Sequence, residues 1–204
     1  MFRMDIREAR SRLMDEVQKA VICYRAPSFS ITNTTLWALE VLAEEGFIID
    51  SSIFPVRHDL YGIPDAPRFP YWKPISSDLS IFEFPPTTMR IGNLNLGVGG
   101  GGYFRLFPYL FSKKVLRHIN EEGKPAMVYF HPWEIDPDQP RIPAKFRSRI
   151  RHYTNLVVME SKIDRLLQDF RFTTVTETCM GLESYAAGAP VPALTRHGEQ
   201  QTCA

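Results

Sequence analysis

Val21-Ile22-Cys23-Tyr24-Arg25-Ala26-Pro27-Ser28 is the stretch on which the fold turns. Its first four residues carry no charge and form a short apolar run, and helix-period sequence stands on either side. A strand flanked in this way is expected in a parallel sheet with both faces covered. Upstream, Ile6, Ala9, Leu13, Val17 and Ala20 recur at three- or four-residue spacing, which predicts an amphipathic helix that must rest on something. Downstream, Thr32 or Asn33 offers an N-cap, Leu36, Leu39 and Leu42 form a stripe, and Gly46 supplies a stop, so a second helix follows.

The same alternation continues along the chain. Phe47 to Ile49 reads as a strand, and the prolines between Pro55 and Pro86 predict an ordered loop. Ser80 to Phe84 and Thr87 to Ile91 read as strands, Phe107 to Glu122 as a helix and Ala126 to Phe130 as a strand. A last helix carries Met159, Ile163, Leu166, Leu167 and Phe170 on one side, before a closing strand at Phe172 to Val175. Strand and helix in alternation argue for an α/β sheet or barrel, whose chemistry gathers in the loops after the strands. Arg25 and His131 both stand at such positions. One domain over residues 1–177 is expected, then a short helix and a tail over 178–204 whose Pro, Thr, Gln and Gly after Gly188 predict disorder.

Composition excludes several function classes. The chain has 204 residues and is 44% hydrophobic, enough for one substantial core. With 24 Lys and Arg against 23 Asp and Glu, no overall field draws it to nucleic acid or anionic lipid. Cys23, Cys179 and Cys203 are odd in number and far apart, so neither a disulfide framework nor a cysteine-built zinc site is expected. Charge interrupts the apolar residues from Arg3 to Glu16, unlike a signal peptide or a membrane span. The chain therefore reads as soluble and cytoplasmic.

Arg25-Ala26-Pro27-Ser28 resembles the Arg-x-Pro motif of polysaccharide deacetylases of the NodB-like, chitooligosaccharide deacetylase superfamily, and Tyr129-Phe130-His131 stands where that family has its late histidine. The segments Ile49-Asp50-Ser51-Ser52-Ile53-Phe54-Pro55 and Gly99-Gly100-Gly101-Gly102-Tyr103-Phe104-Arg105 resemble the branch associated with exopolysaccharide loci. The likeness runs in order from about Phe2 to Val175.

The resemblance implies a distorted β/α barrel that removes acetyl groups from N-acetylated sugars of a polysaccharide or oligosaccharide. It also implies a divalent metal, usually zinc, bound by one aspartate and two histidines, with a second aspartate as base. His131 would protonate the departing amine, a task that suits imidazole because its ordinary pKa lies near neutrality. Arg25 would orient the base aspartate through paired hydrogen bonds. The Ser28 N–H would help to hold the oxyanion. Asp50 would orient His131, with Asp59 and Asp65 as alternatives. Tyr103, Phe104, Trp133 and Glu134 are expected to face the sugar.

Each of these residues also has a plainer role open to it. An arginine after a strand commonly makes a surface ion pair. Asp50 could cap a turn through its side chain, and Tyr103, Phe104 and Trp133 could pack in the core. The glycine run predicts a tight loop near the site, not a phosphate cradle, since no Gly-Lys-Ser or Gly-Lys-Thr follows it.

The family's metal and base motifs lie before its Arg-x-Pro segment. Only 24 residues precede Arg25 here, none of them histidine, and no two histidines in the chain are four apart. Asp5 and Asp15 fall on the opening helix and read as solvated. The expectation is thus an incomplete barrel lacking its N-terminal β/α units, in which a missing N-terminal segment would bring the metal ligands. A catalytically inactive or purely carbohydrate-binding chain is the alternative.

Overall fold

The computed structural model describes residues 1–143, 149 and 152–183. They divide into two compact units, Met1–Phe172 and Thr173–Ala204. The expected disordered tail after Gly188, and Cys203 with it, lie outside the described residues.

In the first unit, helix α1 (Phe2–Val17) leads to strand β1 (Cys23–Tyr24), helix α2 (Trp37–Glu44) and strand β2 (Ile49–Asp50). Strands β3 (Tyr71–Pro74) and β4 (Ser80–Glu83) follow, then a hairpin of β5 (Thr88–Ile91) and β6 (Leu94–Gly97). Helices α3 (Gly101–Leu106), α4 (Tyr109–Glu121) and α5 (Met159–Asp169) complete it. The main sheet has the order β1-β2-β4-β3, with β1, β2 and β4 parallel and β3 antiparallel to β4. The class is α/β, and the sheet is open: no barrel closes among the described residues.

Two rows of side chains cross the sheet in register. Cys23, Ile49, Phe82 and Trp72 form one, and Tyr24, Asp50, Glu83 and Tyr71 form the other. Successive residues of a strand face opposite ways, so each row shares a face. Only the middle of the sheet is fully covered: Ile49 and Asp50 are buried, whereas Cys23 on the edge strand is exposed. The expectation that the first strand is buried on both faces is therefore corrected, because the face of β1 that carries Cys23 is exposed among the described residues.

Leu39 and Leu42 of α2 pack with Ile6, Phe47, Ile53 and Ile81 in the core beneath the sheet. Thr32 O accepts the Thr35 N–H, so a turn precedes α2 and the helix opens later than an N-cap at Thr32 or Asn33 would place it. Gly46, at φ 85°, ends it as predicted. Of the stripe on α1, only Ile6 is buried, and Leu13 and Val17 are each 52% exposed. Ile6 and Phe2 anchor α1 in the core, and polar bonds add to them: Arg3 and Arg7 bond to Glu45 and Arg10 Nε donates to Val21 O. The Arg7 and Arg3 hydrogen bonds hold the Glu45 carboxyl down at about 2.

Three other segments differ from the sequence reading. Tyr71–Pro74 lies inside the proline-rich region yet forms strand β3. Residues 126–130 run beside Gly99–Gly101 through a single parallel bridge, Gly100 to Tyr129, instead of a full ladder. A side chain on Gly100 would put its Cβ 2.1 Å from Tyr129 O, so glycine is required for that approach. The next glycine, Gly101, opens α3, so the glycine run starts a helix as well as making a turn.

In the second unit, helix α6 (Val175–Glu183) begins where a closing strand was expected. The reason is a capping box: Glu177 N–H donates to Thr174 Oγ1, and Thr174 N–H donates to Glu177 Oε2, both at 3.1 Å.

Candidate functional site

The two motifs recognised in the sequence meet at the ends of the parallel strands. Arg25 follows β1 directly, and its guanidinium lies over two rings, 5.2 Å from the centre of Tyr129 and 5.7 Å from that of Phe29. Phe29 and Tyr129 touch edge to face at 5.4 Å, and Phe54, Tyr61 and Tyr103 join them in one aromatic cluster. Cation–π contact and packing thus hold together segments that are far apart in the chain.

Among the described residues no carboxylate bonds to Arg25. Nε donates to Ser51 O at 3.0 Å and Nη2 to Ser51 Oγ at 2.7 Å. Its paired grip is on a serine, and burial pulls the guanidinium below its ordinary pKa. Beyond it the chain turns sharply. Ser28 and Phe29 both have positive φ, 56° and 52°, a conformation uncommon outside glycine and concentrated at functional turns. Ser28 itself is exposed.

His131 is exposed and stacks parallel to Trp133 at 5.8 Å, with Tyr129 edge-on at 6.0 Å. Among the described residues no carboxylate bonds to its ring. Asp50, expected to orient it, is fully buried and accepts from Ser52 N–H at 3.0 Å and Ser52 Oγ at 2.6 Å. Asp50 is therefore not the partner of His131, because its oxygens are turned to the strand end below Arg25. Asp59 and Asp65 are exposed.

Glu134 does not face a sugar. It is 0% exposed, with Oε1 accepting from Arg105 Nη1 at 3.0 Å and Oε2 from His131 N–H at 2.9 Å. Its role is to fix the turn that carries His131 and Trp133, and the partner it needs, Arg105, lies 29 positions away on α3. Phe104 is core, packed with Tyr109, Leu116, Met159 and Leu166. Tyr103 is half-buried against Phe54, and Trp133 is half-buried between His131 and His152, the latter stacked on it at 4.2 Å.

The sequence reading missed Glu83, Arg105 and His152. Glu83 and Arg105 carried a usable signal, since each is a charge set among apolar neighbours, in Ile81-Phe82-Glu83-Phe84 and Tyr103-Phe104-Arg105-Leu106, where a buried charge demands a partner. His152 carried none, as its neighbour Trp133 is distant in sequence. Among the described residues no group of three His, Cys, Asp or Glu side chains converges as a metal site would require. Those residues therefore do not fit the zinc that the resemblance implies, and no chemical step is derived through it.

The family described as a domain of unknown function (DUF3473) matches residues 51–180, more than half of the chain. The chain belongs to that family. The DUF3473 match takes in Ser51, Ser52, Glu83, Tyr103, Arg105, Tyr129, His131, Trp133, Glu134 and His152, and begins just after Asp50. No curated protein and no solved structure matches the chain. No helix among the described residues is long and apolar enough to cross a membrane.

Proposed function

We propose that this DUF3473 chain carries the saccharide-facing part of a polysaccharide deacetylase site, on an incomplete β/α barrel, acting on the N-acetyl groups of amino-sugar polymers linked to exopolysaccharide synthesis. The family's association with polysaccharide deacetylases agrees with this reading. The observation that carries it is the Arg25 guanidinium over Tyr129, which joins the Arg-x-Pro turn to the His131 segment. In the reaction, water adds to the acetyl carbonyl, the C–N bond breaks, and the amine nitrogen takes a proton from His131 as acetate leaves. Arg25 fixes the turn that presents the Ser28 N–H to the oxyanion. Tyr103 and Trp133 give aromatic edges for sugar rings. The base and any metal ligands would be brought by a further polypeptide segment.

The test is acetate release from an N-acetylglucosamine oligomer by this chain joined to the segment that brings the base and the metal ligands, with zinc present, followed by proton NMR. His131→Ala is expected to lower turnover by about 10²–10⁴-fold while saccharide affinity stays unchanged. Unchanged turnover, or equal loss of affinity, rejects the proton-donor role. A second reading, saccharide binding without hydrolysis, is favoured by the stack of His131, Trp133 and His152, a ring surface that needs no metal. It predicts oligomer binding by calorimetry that zinc does not alter, and no acetate.

A further inference from the structure

Asp50 and Glu83 are register partners on the neighbouring parallel strands β2 and β4, and both are 0% exposed. Two carboxyls side by side without solvent cannot both ionise cheaply. Their hydrogen bonds show which one keeps the proton. Both oxygens of Asp50 accept from Ser52, one from its N–H and one from its hydroxyl. Glu83 Oε1 accepts from Ile53 N–H at 3.1 Å, and Oε2 has no protein partner as an acceptor. A proton on Oε2, directed at Asp50, gives every one of these atoms a role.

The same oxygens lead to the candidate site. Ser52 Oγ, which donates to Asp50 Oδ1, accepts from Ala26 N–H at 2.7 Å. Ser51 Oγ donates to Phe84 O at 2.6 Å and accepts from Arg25 Nη2. The Arg25–Phe29 turn, with its two positive φ residues, therefore hangs from the strand ends that bear the two acids.

We infer that Asp50 and Glu83 hold a single proton, seated on Glu83 Oε2, and that this acid pair is the positioning unit that locks the Arg25–Phe29 turn through Ser51 and Ser52. Burial raises the pKa of both carboxyls, and the Asp50 charge adds to the rise at Glu83. The groups facing the pair are Tyr24 on β1, Tyr71 on β3 and the Arg25 guanidinium. Both tyrosine hydroxyls are raised by burial and stay neutral, so Arg25 is the one cation among these groups opposite the Asp50 charge. The pair needs no saccharide and no metal, so the inference stands apart from the deacetylase reading.

The sign of the pH effect follows from proton counting. Folded Glu83 holds its proton above the pH at which an unfolded glutamate has lost it, so stability is present at low pH and falls as pH rises toward the folded value. Over that window the folding constant falls about tenfold per pH unit for one proton.

The experiment uses the full chain with carbon-13-labelled carboxyls. NMR at pH 7 is expected to find one protonated carboxyl, at Glu83, beside an ionised Asp50. Glu83→Gln keeps a donor toward Asp50 and an acceptor for Ile53 N–H. It should fold, retain slow hydrogen exchange at Ala26 N–H, and lose the tenfold-per-unit pH slope measured by denaturant titration. Asp50→Asn places a donor against donors, so Ala26 exchange should become fast or the chain should fail to fold. Two ionised carboxyls at pH 7 overturn the inference. So does a Glu83→Gln chain that fails to fold, keeps the full pH slope, or loosens Ala26 as much as Asp50→Asn does.

Discussion

Replacing Glu134 with alanine separates the structural account of the His131 turn from the saccharide-contact role that its sequence position suggested. Glu134 and Arg105 are 0% and 1% exposed, and their side chains meet at 3.0 Å. Glu134→Ala removes the carboxylate that Arg105 Nη1 donates to and strips the His131 N–H of its acceptor. Breaking a buried pair in this way costs about 3–5 kcal/mol. In a chain of this size that lowers the melting temperature by roughly 6–20 °C. Glu134→Gln keeps an oxygen for one donor but gives up the charge, and is expected to cost about 1.5–3 kcal/mol. Denaturant unfolding of the wild type and both variants, read by tryptophan fluorescence, measures the series; Trp133, with Arg105 5.0 Å from its ring centre, reports the site directly. A Glu134→Ala chain that unfolds within about 0.5 kcal/mol of the wild type, the range of an ordinary surface change, while losing saccharide binding would place Glu134 at the sugar instead.

Other substitutions test the remaining links. Gly100→Ala should destabilise by about 1–3 kcal/mol in urea melts, because the new methyl meets Tyr129 O. Arg25→Lys loses the paired bonds to Ser51 and the planar contact with Phe29 and Tyr129, and should cost about 1–3 kcal/mol by the same assay. Lys162 Nζ donates to the carbonyls of Phe104, Arg105 and Phe107, so it satisfies the C-terminal end of α3 from α5. Lys162→Met should cost about 1–3 kcal/mol, with faster amide exchange concentrated in α3.

The parts legible in the sequence are those written in local periodicity. The 3.6-residue stripes marked α1, α2 and α5, short runs marked β1, β2 and β4, and Arg25-Ala26-Pro27 and Tyr129-Phe130-His131 marked two segments that the fold brings together. Where two local signals competed, the reading failed: at Phe172 to Val175 the β-branched run suggested a strand, yet the Thr174–Glu177 capping box started a helix. Tyr71–Pro74 gave no strand signal through its prolines, and pairs with β4 because that strand has an open edge.

The amino-acid sequence by itself determined the α/β alternation, the near-neutral charge and the presence of both site motifs. Only tertiary structure decided which side chains those motifs meet. Arg25 holds Ser51 instead of an acid, Glu134 is spoken for by Arg105, and Asp50 faces Glu83 instead of His131. The physical reason is that a partner across the sheet or on another helix is set by strand order and register. A buried charge in a sequence announces that it needs a partner, but not which residue the fold will bring.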